Sequence, residues 1–351
     1  MAVKKVLKGT LRIKTKDLQL YEKTDSNKDY WKRSDISLPE AKQVIHLFKS
    51  HKNLKLLVDS KDSRFLKGQL YKNKIQGERI KSLPNGQEVD KAYSLFSPHL
   101  NIHDQTSNEH WDVIFMNPNG SFSYIYTLNK KQKSIRKKYT KVKEFENCYP
   151  KLKRNVLAGM KNNDEMAILI YTLLKTHMRV GNEIYFKLSG HKGLTTLTKK
   201  DISIDGNKLT FNYLAKDGVP ITITENFPET YVKSMKSKLS KLKSNDFVFA
   251  TKSGHPIHEE KIKLAFKKYC GVEFYPHIIR SYYATTETKK FLELHKKPSK
   301  DEVRKLFLSI AKKLGHKKFS KKHDAWEENF TVTLNHYVDP SLVKKIKKIT
   351  N

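Results

Sequence analysis

The chain has 351 residues, room for about two domains of ordinary size, and its 37% hydrophobic content can fill real cores. Lys plus Arg total 70 against 36 Asp plus Glu, and the resulting formal charge of +34 is spread along the whole sequence, which points to a polyanionic partner. Only nine of the basic residues are Arg and 61 are Lys, a choice to which genome base composition can contribute, so the charge argues for nucleic acid less strongly than its size suggests. The two cysteines, Cys148 and Cys270, form neither a disulfide framework nor a zinc spacing, and a reducing compartment is the simplest fit. The N-terminal stretch MAVKKVLKGTLRIK shows no secretory signal, and no apolar run reaches the roughly 20 residues of a membrane span. A soluble intracellular protein without a membrane partner is expected, with no internal repeat.

Residues 1–128 read as strand-leaning. LKLLVD at 54–59 and WDVIFM at 111–116 are short apolar stretches, and the second is followed by Asn117-Pro118-Asn119-Gly120 and SFSYIYT, a hairpin pattern. Tyr124 and Tyr126 then share one face, which suits sheet packing and nucleic-acid contact equally. The run KKQKSIRKK at 130–138 marks the expected domain boundary, read as a solvated linker, with phosphate contact by residues such as Lys137 and Lys138, or a nuclear-import address, as sharper alternatives. From Lys141 the pattern turns helical. Asn163 or Asp164 can cap a helix dense in apolar residues from Met166 to Leu174, with Arg179 near its end and Gly181 as its stop. Asp205-Gly206 and Asp217-Gly218 separate alternating apolar strands, which predicts a three-stranded antiparallel meander at 201–224 with Lys216 at a hairpin tip. From Glu229 onward the chain is expected to be helical apart from DFVFA at 246–250. The fold class is therefore α+β, with a strand-rich domain at 1–128 and a mainly helical domain at 129–351.

Several residues have a bland and a chemical reading. His277 and Arg280 lie at i and i+3 on one helix face, His316 follows a helix-ending Leu314-Gly315, and Tyr337 is the one tyrosine beyond His316. Arg179 and Lys216 can equally be a solvated helix end and an exposed turn. Together, however, these residue types suit attack by a tyrosine oxygen on a phosphodiester. Two arginines and a histidine can hold the charge of a five-coordinate phosphorus, and a lysine can protonate the departing sugar oxygen. No metal is required by that scheme, and no carboxylate cluster or GxxxxGK[ST] loop is present.

The local strings carry a resemblance. RVGNEIY at 179–185 with GLTTL at 193–197, IRSYYAT at 279–285, LGH at 314–316 and LNHYVDPSLV at 334–343 resemble the segments of type IB DNA topoisomerases, particularly the compact poxvirus and bacterial kind. SYIYT at 123–127 resembles the strand whose tyrosines touch DNA in the poxvirus enzymes. The resemblance is strong over about 160–340 and faint before 110. It implies that Tyr337 is a nucleophile forming a 3′-phosphotyrosyl link, and that Arg179, Arg280 and His316 stabilise the transition state. Lys216 would protonate the 5′ oxygen, and Tyr124 and Tyr126 would contact DNA; Lys137, Lys138 and His277 are expected DNA contacts beside those that the resemblance implies.

The implied protein is a monomer that closes as a two-lobed clamp on double-stranded DNA and relaxes supercoils without cofactor or ATP. It would work where DNA is, in a nucleus, or in cytoplasm or a virion if viral. Two features depart from the family. His277 stands where these enzymes usually carry Lys or another residue, whereas tyrosine recombinases favour His there, and His336 intrudes between Asn335 and Tyr337, with a longer interval from His316 than in the poxvirus type. A tyrosine recombinase with the same chemistry and a catalytically silent DNA-binding protein are the rival readings.

Overall fold

The computed structural model describes residues 6–103 and 110–350. The first five residues of the stretch read for a targeting signal lie outside the described residues. The chain divides into two compact units, Met1–Lys137 and Lys138–Asn351.

The first unit contains β1 (Leu11–Ile13), β2 (Leu20–Lys23), β3 (Trp31–Arg33), α1 (Pro39–Ser50), β4 (Gln69–Tyr71), β5 (Lys74–Gln76), β6 (Ile80–Ser82), β7 (Glu88–Tyr93), β8 (Asn101–Ile102), β9 (Val113–Met116) and β10 (Phe122–Ile125). The first five strands make one sheet in the order β3-β2-β1-β4-β5, β6 and β7 pair with each other, and the remainder form β10-β9-β8. α1 begins with Pro39, whose missing N–H costs nothing at a helix start, and buries Ala41, Val44, Ile45 and Phe48 at helical spacing. The expected hairpin is present. Asn117 N–H donates to Ser121 O across the turn at 2.7 Å, Gly120 takes φ +78°, and Tyr124 pairs with Ile114. Alternation along β10 leaves Tyr124 exposed and Ile125 fully buried.

α2 (Leu128–Lys161) spans the boundary between the units. The basic run at 130–138 is therefore not an irregular linker. It forms opening turns of a 34-residue helix that starts well before Lys141, because Lys, Arg and Gln are good helix formers and nothing in the run breaks the pattern.

The second unit continues with α3 (Glu165–Thr176), α4 (Glu183–Ser189), β11 (Ile202–Asp205), β12 (Lys208–Leu214), β13 (Pro220–Asn226), α5 (Glu229–Ser240), α6 (Glu259–Cys270), α7 (Ile278–Leu294), α8 (Lys300–Lys313), β14 (Lys317–Ser320), β15 (Ala325–Glu328), α9 (Thr331–His336) and α10 (Pro340–Thr350). β11, β12 and β13 form the predicted antiparallel meander, with Phe211 opposite Ile202 on one side and Ile223 on the other. Its second turn runs through Asp217 at φ +65° and Gly218 at φ +74°, and Ala215 N–H closes it on Val219 O at 2.8 Å. That turn lifts Lys216 into an exposed position.

Asp164 caps α3 by accepting from Met166 N–H, and the helix buries Ile168, Leu169, Ile170, Leu173 and Leu174. It stops earlier than Gly181. His177 takes the left-handed conformation at φ +56°, its N–H closes on Leu173 O, and its ring packs on Tyr283 at a centroid distance of 4.2 Å. That packing offsets the strain of a non-glycine residue there, and Arg179 consequently sits in irregular backbone beyond the helix. The region after Glu229 also contains an element absent from the sequence expectation, the hairpin β14–β15, which with α9 fills the interval from His316 to Tyr337.

Two clusters form the core of this unit. One gathers Phe145, Leu169, Phe211, Tyr231 and Phe266, and the other gathers Ala284, Phe307, Ile310, Leu314, Val338 and Tyr337 itself. Both cysteines are free thiols.

Candidate active site around Tyr337

The segment carrying Arg179 is held by backbone. Leu194 N–H donates to Arg179 O at 2.8 Å and Thr195 N–H to Val180 O at 2.6 Å, while the Thr195 hydroxyl reaches the same Val180 carbonyl. These bonds explain the two glycines of the paired strings. A Cβ built on Gly193 would stand 2.5 Å from Gly181 N and 2.7 Å from Arg179 O, and Gly181 takes φ +99°. GLTTL is thus a strut that lays one backbone directly against the other and fixes where the guanidinium starts.

Arg280, in the first turn of α7, is 2% exposed and spends most of its donors on protein. Nη1 donates to His177 O at 2.6 Å, and Nη2 donates to Leu314 O at 2.8 Å and to His316 Nε2 at 2.9 Å. Its Nε–H is buried without a partner. Burial lowers the Arg280 pKa, and the nearby Arg179 charge adds to that direction.

Because a guanidinium only donates, His316 Nε2 is an acceptor and the ring proton belongs to Nδ1, which lies 2.7 Å from the Thr333 hydroxyl. Desolvation, followed by the charges of Arg280 and Arg179, pushes the His316 pKa down to about 3, so the ring is neutral at pH 7. In this arrangement its Nε2 has no proton to offer a phosphoryl oxygen. Donation there requires release from Arg280 together with the other tautomer.

Tyr337 is 4% exposed and its hydroxyl is the meeting point. Arg179 Nη2 donates to it at 3.2 Å, and His277 Nε2 lies 2.8 Å away. The phenol accepts from Arg179 and can donate its own proton to His277. Desolvation, then the charges of Arg280, Arg179, Lys138 and Lys216, hold this imidazole well below its ordinary pKa, although the residue as a whole keeps an exposed surface. A neutral ring follows. The rings of His316 and Tyr337 lie 4.8 Å apart, and the Arg280 guanidinium sits 5.1 Å from the Tyr337 ring centre.

Arg179, Lys216, Arg280 and His316 line one cavity of about 120 Å³. Lys216 is exposed at its rim, on the meander turn. A larger groove of about 810 Å³ along α5 holds none of these groups. Among the described residues no three His, Cys, Asp or Glu side chains are grouped as a metal site would need.

Of the residues expected to contact DNA, His277 lies on the Tyr337 hydroxyl. Lys138 is half-buried, donates to the His336 carbonyl and stands 5.4 Å from the Tyr337 ring centre, and burial pushes its pKa down to about 8. Tyr124 and Lys137 are exposed in the first unit, and Tyr126 is half-buried with its N–H held by Asp90 at 3.0 Å. Sequence reading missed Thr333, the His177 carbonyl, Thr285 and Tyr139. Each matters through a partner 17 or more residues away, and no local spacing signals such a pairing.

A helical unit with an antiparallel meander, organised around a buried tyrosine with two arginines and two neutral histidines, defines a tyrosine-centred α+β domain. The family described as eukaryotic DNA topoisomerase I, catalytic core, matches residues 127–341, more than half of the chain, and the chain belongs to that family. A DNA topoisomerase 1B of Acanthamoeba polyphaga mimivirus is 23% identical over 219 residues, covering 56% of this chain and 64% of that protein. Among solved structures, the XerA recombinase is similar at a TM-score of 0.34 with 20% identity, covering 57% of this chain and 63% of that one. A XerH site-specific recombinase bound to difH substrate as a pre-cleavage complex gives 0.32 with 14% identity, covering 46% and 44%. The matches thus span less than two thirds of each of these relatives.

Proposed function

We propose that the chain is a type IB DNA topoisomerase that relaxes supercoiled duplex DNA by transient cleavage of one strand. The observation that carries the reading is the Tyr337 hydroxyl, bonded to Arg179 and His277 beside Arg280, His316 and the Lys216 rim. In the proposed cleavage step Tyr337 Oη bonds to phosphorus as its proton passes to neutral His277 Nε2. The bond from phosphorus to the 5′ oxygen breaks, and Lys216 gives that oxygen a proton. Charge on the five-coordinate phosphorus falls to Arg179 and Arg280, and the buried, unpartnered Nε–H of Arg280 is a ready donor.

The product is a 3′-phosphotyrosyl link and a free 5′ hydroxyl. The number of phosphoester bonds is conserved, so resealing after strand swivel needs no ATP. Duplex DNA is the proposed partner of a monomer, with Tyr124, Tyr126 and Lys137 among the residues proposed to contact it. The compartment is wherever such DNA lies.

Relaxation of a negatively supercoiled plasmid in EDTA without ATP tests the reading. The wild-type chain is expected to relax it, and Tyr337→Phe to bind but not relax. Intact binding with unchanged supercoils for the wild type would sink the enzyme reading in favour of a silent DNA-binding protein. Strand exchange between paired sites without relaxation would favour a recombinase.

A further inference from the structure

We propose that Lys138 and Tyr139, adjacent on α2, act with Thr285 of α7 as positioning residues that hold the nucleophile segment by three successive backbone carbonyls. Lys138 Nζ donates to His336 O, the Thr285 hydroxyl to Tyr337 O at 3.4 Å, and the Tyr139 hydroxyl to Val338 O at 2.6 Å. Asp339 N–H returns a bond to the Thr285 oxygen at 3.3 Å. Tyr139 and Thr285 are both buried.

The need for such a hold follows from the local structure. Tyr337 is the C-cap of α9, a helix of six residues, and the carbonyls of a helix's last turn have no partners within the helix. So short a helix is not stable alone. A cation and two hydroxyls from neighbouring helices take up the carbonyls on both sides of the nucleophile and of the nucleophile itself. The Lys138 charge is well placed in two ways, at the negative end of α9 and 5.4 Å from the Tyr337 ring centre. The three bonds leave the Tyr337 side chain with its hydroxyl on Arg179 and His277, where a shift of about 1 Å would cost roughly a hundredfold in rate.

The positioning role rests on the proposed function, since it presumes that Tyr337 is the reacting group, and two measurements keep the two ideas apart. Hydrogen exchange of the peptide spanning 331–342 in the DNA-free chain needs no catalysis. Tyr139→Phe and Lys138→Gln are expected to speed its exchange, with α3 unchanged, and exchange at the wild-type rate in both overturns the hold.

Single-turnover formation of the covalent DNA adduct is the second measurement. Tyr139→Phe is expected to slow it roughly tenfold and Lys138→Gln roughly a hundredfold at unchanged Kd for DNA, with Lys138→Arg restoring most of the rate. Adduct formed at the wild-type rate by the two weakened variants overturns the positioning role, as does a loss seen wholly in Kd or an Arg variant as slow as the Gln one. A wild-type chain that forms no adduct sinks the functional reading instead, and the exchange result still decides whether the carbonyls are held.

Discussion

The Tyr337 hydroxyl has one donor, Arg179, and one acceptor, His277, and the protonation state of that histidine decides whether the phenol can lose its proton. Desolvation and the surrounding cations keep His277 neutral at pH 7, the form that can act as a base. His277→Ala is expected to slow adduct formation roughly a hundredfold while leaving DNA affinity within severalfold, measured by single-turnover kinetics. An unchanged rate would remove His277 from the proton path. Lys216 is tested by the leaving group. Lys216→Ala should slow cleavage strongly with an ordinary 5′ oxygen and little with a 5′ sulfur, whose low pKa needs no acid, and equal losses on both would exclude that role. His277 was legible in the sequence as part of a His-x-x-Arg, but its partner was not, because Tyr337 lies 60 residues further on.

At the level of elements, the paired glycines connect a string to a geometry. Gly193→Ala forces a methyl against Gly181 N and Arg179 O, backbone atoms that cannot turn aside. It is expected to destabilise the second unit by about 1–3 kcal/mol and to slow cleavage more than it weakens DNA binding, read from thermal unfolding and single-turnover rates. A variant with wild-type stability and rate would refute the strut. The meander was readable because Asp-Gly turns between alternating strands leave few other solutions, and so was the Asp164 cap. The end of α3 was not. His177 outcompetes Gly181 through its packing on Tyr283, a contact with a residue more than 100 positions away. The β14–β15 hairpin was illegible for a different reason. KKFSKKHDAWEE has few apolar residues to alternate, and its anchors, such as Lys317 on Pro220 O at 3.0 Å, are tertiary.

Across the whole molecule, two electrostatic consequences follow. Three histidines of the second unit, His177, His277 and His316, have pKa values depressed by desolvation and nearby cations. In the unfolded chain each titrates near 6.5, so between that pH and about 3 the unfolded state binds more protons and stability falls as pH falls. The unfolding midpoint is expected to drop steadily from pH 6.5 toward 4, and a flat midpoint there would contradict neutral imidazoles at these three positions. The lysine excess is expected to act on the proposed DNA binding instead, where the number of phosphates neutralised would set the salt slope, roughly 0.9 per phosphate. Neither consequence bears on the chemistry proposed for Tyr337, whose hydroxyl oxygen is the atom proposed to become bonded to DNA. The direct test traps the complex on a nicked or suicide duplex, digests both components and locates the nucleotide by mass spectrometry. A 3′-phosphonucleotide is expected on Tyr337 and none in Tyr337→Phe; a nucleotide on another residue, or a link through a 5′ phosphate, would rule out Tyr337 as the nucleophile of the proposed 3′ link.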